Sequence, residues 1–195
     1  MPEIRTVAVI GAGALGRSIA RLAALGRYRT ILEDILPASL RKAESEIRAH
    51  LDEAIEAGNL STSDGEAALR RLEYASSVDE AAREADLVIE AVPEELESKI
   101  EIFTLLDKIC KPHTIVATNT SSLSIADIAS VTYRAPKILG MRFLATGQDG
   151  NRVQLVRAVE TDDDTITACT QVARRMGKEV VVINETVHDT TSAVK

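Results

Sequence analysis

The chain has 195 residues, of which 45% are hydrophobic and 27% are charged, and its net charge is −7 at pH 7. This length and composition predict a folded protein with a substantial core and argue against intrinsic disorder. The acidic balance, without a basic stripe, argues against nucleic acid as the main partner. No apolar run approaches the length of a membrane span and no signal peptide is evident, so we expect a cytoplasmic protein.

The two cysteines, Cys110 and Cys169, lie far apart and lack the spacing of a metal site. We interpret them as reduced thiols in a reducing compartment, and we predict no metal.

Strand and helix patterns alternate along the chain. Apolar runs predict strands at residues 4–10, 29–34, 72–75, 86–92, 114–118, 137–143, 153–159 and 180–183. Three- and four-residue periodicity predicts helices at residues 14–26, 37–58, 62–71, 94–109, 124–129 and 162–176. This order predicts an α/β fold with a doubly wound, mostly parallel sheet, which binds ligands at the carboxyl ends of its strands. The segment 146–152 is predicted to be a flexible loop.

The first strand runs into the glycine-rich sequence VAVIGAGALG at residues 7–16, and a helix follows directly. In such a turn the first glycine allows a sharp bend, the second lets a pyrophosphate approach the backbone, and the third lets the helix pack on the strand. The helix N-terminus offers unpaired N–H groups to the phosphates. The predicted phosphate-binding residues are Gly11, Gly13, Ala14, Leu15 and Gly16.

An acidic residue, Asp34, follows the second strand 18 residues after Gly16. Its carboxylate can accept hydrogen bonds from the adenine-ribose hydroxyls, which predicts NAD rather than NADP. The alternative is a glycine-rich turn that binds no ligand. Because strand, helix and acid all stand at the required places, we favour a dinucleotide site.

Three further segments make the sequence distinctive: DLVIEAVPEELESKIEIFTLLDKI, ATNTSSLSI and KILGMRFL, beginning at residues 86, 117 and 137. Together with the glycine motif they resemble the NAD-binding domain of the 3-hydroxyacyl-CoA dehydrogenase family. The resemblance implies a Rossmann-type domain over residues 1–184 and a tail over residues 185–195. It also implies that the family's helical C-terminal domain is not part of this chain.

The resemblance also implies site residues. Glu94 and Lys99 match a glutamate and a lysine that line the family's cofactor cleft; alternatively they are an exposed charge pair on a solvated helix. Asn119 and Ser121 match the family's Asn-Thr-Ser-Ser segment, in which a serine touches substrate and cofactor. Alternatively this segment supplies the N-cap of the next helix.

The catalytic half of the family pattern is changed. The position of the family's histidine is Arg142, and the position of the glutamate that orients it is Arg157. An arginine stays protonated and cannot remove a hydroxyl proton. The two arginines either form an anion-binding site or point separately to solvent. His188 is the histidine nearest to the expected substrate region; alternatively it is a tail residue.

Two functions fit these features. The first is an NAD-dependent oxidoreductase acting on a hydroxyacyl thioester or a related small hydroxy acid. In it Ser121 binds the substrate oxygen and Arg142 binds an anionic group. The second is a non-catalytic NAD-binding module that senses cofactor or supports a partner enzyme. The macromolecular partners that fit these two functions are a carrier protein, a partner chain or a second copy of this chain.

Overall fold

The computed structural model describes residues 3–144 and 151–185. Its strands are β1 (Thr6–Ile10), β2 (Arg29–Glu33), β3 (Leu72–Ala75), β4 (Leu87–Glu90), β5 (Ile115–Thr118), β6 (Ile138–Phe143), β7 (Arg152–Arg157) and β8 (Glu179–Asn184). Its α-helices are α1 (Ala14–Leu25), α2 (Pro37–Glu56), α3 (Thr62–Leu69), α4 (Val78–Ala82), α5 (Leu96–Ile109), α6 (Ile125–Ala129) and α7 (Asp163–Arg175).

The strands form one sheet of order β3-β2-β1-β4-β5-β6-β7-β8. All neighbouring pairs are parallel except β6 and β7, which are antiparallel. The segment 144–151 that joins these two strands is too short for the crossover that a parallel pair would need. The predicted doubly wound, mostly parallel sheet is confirmed.

The sheet is covered on both faces by helices. On one face Val7 and Val9 of β1 pack with α1, α2, α3 and α7, and on the other Ala8 and Ile10 pack with α4, α5 and α6. All four side chains are at most 1% exposed. Burial of a single valine or isoleucine side chain contributes roughly 1.5–3 kcal/mol. Burial on both faces explains why the first strand reads as a continuous apolar run.

The predicted elements exist, but several ends differ. The helix predicted to reach residue 58 ends at Glu56, because Gly58 has φ +72° and the following N–H groups return to the carbonyl oxygen of Ala54. The helix predicted from residue 94 begins at Leu96, after a turn at Pro93.

Two short elements were not predicted. Helix α4 has five residues, too few to show periodicity, and is capped by Ser77, whose hydroxyl accepts a hydrogen bond from the N–H of Glu80. A turn of 3-10 helix spans Ala135–Lys137, immediately before β6.

Some predictions fall on parts of the chain that are not described. Residues 186–195 of the predicted tail, including His188, and residues 146–150 of the predicted loop lie outside the described ranges. Within residues 3–144 and 151–185, no helix is long and apolar enough to cross a membrane.

Candidate functional site

The turn between β1 and α1 carries three glycines with different surroundings. Gly11 has φ +102°, and a Cβ there would lie 2.9 Å from the carbonyl oxygen of Ala91. A Cβ at Gly16 would lie 1.8 Å from the carbonyl oxygen of Gly11, so no side chain fits. A Cβ at Gly13 would meet no atom within 4 Å. The protein's own packing therefore explains Gly11 and Gly16, whereas the space beside Gly13 is open to a ligand.

Helix α1 begins without a side-chain cap. Gly13 is its N-cap and supplies no side-chain hydrogen bond. The N–H groups of a first turn have no partner inside the helix, and they carry a partial positive charge. Ala14 and Leu15 of this turn line a cavity of about 910 Å³. The turn can therefore bind phosphate oxygens through its backbone.

The cavity lies at the carboxyl ends of β1, β2 and β4. Its walls are the glycine turn, the end of β2, the segment 76–79 at the start of α4, the loop 91–93 and two side chains of α5. Three carboxylates line it, those of Glu33, Asp34 and Asp79. No lysine or arginine of the described part of the chain does so. The carboxylates therefore disfavour a phosphate group beside Asp34, such as the 2′-phosphate of NADP, whereas the pyrophosphate would lie at the glycine turn.

Asp34 is held against the glycine turn. One oxygen of its carboxylate accepts a hydrogen bond from the N–H of Ala12 at 3.0 Å, and the other accepts from the N–H of Leu36 at 2.9 Å. These two bonds orient the carboxylate at the edge of the cavity, where it is able to accept hydrogen bonds from ribose hydroxyls.

Glu33 is a cavity residue that the sequence analysis missed. It is the last residue of β2 and is 5% exposed. Burial, together with the charge of Asp34, raises the pKa of Glu33 to about 7, against the opposing effect of the Gly11 N–H. The sequence carried a signal, namely an acid that ends an apolar buried strand and directly precedes Asp34.

Lys99 is completely buried and is not part of the cavity wall. Its ammonium group donates to both carboxylate oxygens of Glu90, at 2.7 and 2.8 Å, and Glu90 is also completely buried. Glu90 accepts two further hydrogen bonds, from the N–H of Val92 and the hydroxyl of Thr118. The interpretation of an exposed charge pair is therefore wrong, because Lys99 neutralises a carboxylate in the core.

Glu94 accepts several hydrogen bonds from the turn that follows β5. One of its oxygens accepts hydrogen bonds from the hydroxyl of Thr120 at 2.6 Å and from the N–H groups of Ser121 at 2.9 Å and Ser122 at 3.1 Å. Its other oxygen lies 3.6 Å from the ammonium nitrogen of Lys99. Burial alone would raise the pKa of Glu94, but the hydrogen bonds and the nearby ammonium outweigh it and lower this pKa to about 2.

The Asn-Thr-Ser-Ser segment does not cap the next helix. The N-cap of α6 is Ser124, whose hydroxyl accepts a hydrogen bond from the N–H of Asp127. The side-chain oxygen of Asn119 instead accepts from the N–H of Phe143 at 2.9 Å. The capping alternative is therefore wrong, and the exposed Ser121 lies in a turn held by Glu94.

The two arginines of the changed catalytic half are separated. Arg142 is half-buried, and its Nε donates to the carbonyl oxygen of Thr120 at 2.6 Å. Arg157 pairs with Asp163 at the start of α7, at 2.7 Å, and donates to the carbonyl oxygen of Thr161. The two arginines do not form one anion-binding site, because they contact different segments of the chain. They do not simply point to solvent either, because each donates a hydrogen bond to a backbone carbonyl oxygen.

The comparisons with known proteins agree with this geometry. A family profile described as 3-hydroxyacyl-CoA dehydrogenase, NAD binding domain, matches residues 6–186. The chain belongs to this family. The predicted family is thus confirmed, and so is the predicted cofactor, NAD, whose pyrophosphate and ribose suit the open turn at Gly13 and the carboxylate of Asp34.

Relatives of this NAD-binding domain are longer than the chain. It is 34% identical over 183 residues to a probable 3-hydroxybutyryl-CoA dehydrogenase of Bacillus subtilis, covering 94% of this chain and 63% of the relative. It is 33% identical to 3-hydroxyadipyl-CoA dehydrogenase of Escherichia coli, covering 95% of this chain and 39% of the relative.

A solved structure shows the same fold. The crystal structure of a 3-hydroxybutyryl-CoA dehydrogenase from Escherichia coli superposes with a TM-score of 0.90 at 33% identity. The match covers 95% of this chain and 39% of that one. The chain therefore corresponds to the cofactor-binding part of longer relatives.

Proposed function

We propose that the chain is the NAD-binding part of an oxidoreductase that acts on a hydroxyacyl thioester or a related small hydroxy acid. One observation carries the proposal. Glu94 directly follows Pro93, which lines the cofactor cavity, and it holds Ser121 in place. A single carboxylate thus ties the cavity wall to the serine that the family resemblance assigns to the substrate.

In this proposal the cofactor is bound mainly by backbone. The N–H groups that follow Gly13, together with the packing of Gly11 and Gly16, place the pyrophosphate at the start of α1. Asp34 accepts from the ribose hydroxyls, since its carboxylate is already oriented by Ala12. When bound, NAD would supply the hydride acceptor for oxidation of the substrate's hydroxyl carbon.

The substrate side relies on the turn after β5. The hydroxyl of Ser121 donates a long hydrogen bond of 3.4 Å to the carboxylate of Glu94, and in this proposal it turns from Glu94 to donate to the substrate oxygen. Asn119 fixes the start of the turn against β6. Lys99 supports the site indirectly, since it neutralises Glu90 and lies beside Glu94.

Arg142 binds an anionic group of the substrate in this proposal. Its Nε donates a hydrogen bond to the carbonyl oxygen of Thr120, whereas its terminal nitrogens make no hydrogen bond within residues 3–144 and 151–185. A guanidinium stays protonated, so Arg142 cannot remove the hydroxyl proton. The general base then comes from another part of the protein or from a partner chain. Losing positioned acid–base catalysis costs about 10²–10⁴-fold in rate.

The second candidate is a non-catalytic NAD-binding module that senses cofactor or supports a partner enzyme. The observation that favours it is Arg142 itself, because a fixed cation stands where the resemblance implies a titrating histidine.

The experiment measures cofactor binding and turnover on the same preparation. Binding of NADH is followed by its fluorescence, with Gly13→Val as the control that blocks the pyrophosphate site. Turnover is followed by NADH absorbance with acetoacetyl-CoA, hydroxyacyl carrier proteins and free hydroxy acids. We expect tight binding and slow turnover that Ser121→Ala abolishes without weakening NADH binding.

Other outcomes separate the candidates. Binding without any turnover supports the non-catalytic module. Rapid turnover by the unmodified chain contradicts the assignment of Arg142. Introducing both Arg142→His and Arg157→Glu is not expected to restore full activity, because Arg157, at the end of β7, pairs with Asp163 of α7, whereas Arg142 is bonded to the backbone of Thr120.

A further inference from the structure

The two adjacent acids at the end of β2 have different surroundings. Side chains alternate along a strand. Leu32 packs with α1, whereas Ile31 packs with α4 and α5 on the other face of the sheet. Glu33 therefore shares the face of Ile31, and Asp34, beyond the strand, is bonded to the backbone of the glycine turn. Only Asp34 is placed at the ribose end of the cavity.

The cavity around Glu33 is apolar. Its walls on this side include Ile10, Val78, Ile102 and Leu105. Within the described residues, the Glu33 carboxyl forms no ion pair and no hydrogen bond with another side chain, although the residue as a whole is only 5% exposed. Apolar walls suit the faces of an aromatic base, and the Glu33 carboxyl is a polar group of the same cavity that can reach its edge.

The charges that face Glu33 disfavour its ionised form. The titratable groups that line the cavity are Asp34, which follows β2, and Asp79 on α4, and both are acids. The wall contributed by β1, the loop 91–93 and α5 is without charge. Among the described residues the Gly11 N–H favours the carboxylate, but burial and the charge of Asp34 outweigh it and raise the pKa of Glu33 to about 7. A neutral carboxyl is therefore present in a large fraction of molecules near neutral pH.

A neutral carboxyl carries one O–H donor beside one C=O acceptor. A glutamine side chain has the same pattern, and it forms paired hydrogen bonds with the amino group and N7 of adenine. We propose that Glu33, in its neutral form, recognises the adenine base of the cofactor by such a pair of hydrogen bonds. This inference rests on the placement of NAD proposed above.

The proposal predicts both base selectivity and pH dependence. Hypoxanthine has an oxygen in place of the amino group, so its O6 and N7 present two acceptors to a carboxyl that has one donor. NADH should therefore bind more tightly than the reduced hypoxanthine dinucleotide. Because the pair needs the proton on Glu33, affinity for NADH should fall as the pH rises through about 7.

The test measures the dissociation constants of both dinucleotides by fluorescence titration. For the unmodified chain at about pH 6 we expect about tenfold preference for NADH, since a paired contact discriminates bases by about 5- to 150-fold. At about pH 8.5 we expect NADH to bind about tenfold more weakly. Glu33→Gln should keep the preference and lose the pH dependence, and Glu33→Val should lose the preference. Glu53→Gln, the same change at an exposed position of α2 outside the cavity, should change neither property.

Two results would overturn the assignment. One is equal affinity of the unmodified chain for the two dinucleotides while both bind. The other is an NADH affinity that does not change with pH. Both measurements use the unmodified chain, so they do not depend on how a variant folds. If the unmodified chain binds neither dinucleotide, the proposed cofactor site itself is wrong.

Discussion

Replacing Lys99 with methionine would leave the Glu90 carboxylate in the core without its cation. The two side chains are completely buried, and the ammonium nitrogen donates to both carboxylate oxygens at 2.7 and 2.8 Å. Methionine has a similar length, so the change removes the charge with little change in packing. Glu90 would keep only the hydrogen bonds from Val92 and Thr118.

Breaking a buried ion pair by removing one partner costs about 3–5 kcal/mol. Domains of this kind are stable by about 5–15 kcal/mol, so Lys99→Met should lose a large part of the free energy of unfolding. Urea unfolding followed by circular dichroism measures this loss. Adding Glu90→Gln to the variant should recover about half of it, because a neutral amide is far less costly to bury than a carboxylate.

Two results would refute this reasoning. The first is a loss below about 1 kcal/mol in Lys99→Met, and the second is a double variant no more stable than the single one. Cofactor affinity supplies a separate check. Because Lys99 does not line the cavity, the folded fraction of Lys99→Met should bind NADH nearly as well as the unmodified chain.

Four further predictions concern the cofactor cavity. Asp34→Ala should weaken NAD binding about 10- to 100-fold, since a hydrogen bond to a charged group is worth roughly 1.5–3 kcal/mol. Calorimetry showing that the unmodified chain binds NADP as tightly as NAD, or more tightly, would contradict this role of Asp34. Gly13→Val should abolish NADH binding and leave the melting temperature within about 3 °C, because its Cβ meets no protein atom. Gly16→Ala should instead unfold or strongly destabilise the chain in thermal melts, because its Cβ would collide with the Gly11 carbonyl. Glu33→Gln should not change stability below about pH 4, where the carboxyl is protonated in both states, but should stabilise the chain by up to about 3 kcal/mol above pH 7. This sign follows because the pKa of Glu33 rises from 4.5 to about 7 on folding, so the native carboxyl costs stability as the pH rises; unfolding curves at both pH values that show no difference would contradict it.

The elements that the sequence predicted correctly are those whose cause is local. The apolar run at residues 6–10, the glycine turn and Asp34 follow one another within one strand–helix–strand unit. Their spacing is set by the geometry of that unit and of a phosphate bound to it. The sequence therefore predicts this spacing without knowledge of the rest of the fold. The alternation of strand and helix likewise determined the doubly wound sheet, since parallel neighbours need crossovers.

Environments created by distant segments were decided only by the tertiary structure. Lys99 looks like an exposed charge on an amphipathic helix until β4 brings Glu90 beside it. Ser121 looks like a helix cap until Glu94 binds its N–H. Glu33 reads as the polar end of a strand until α4 and α5 close an apolar cavity around it. Sequence determined which groups are present and which elements form. Folding decided the charge, burial and partners of each group, because these depend on residues far away in the chain.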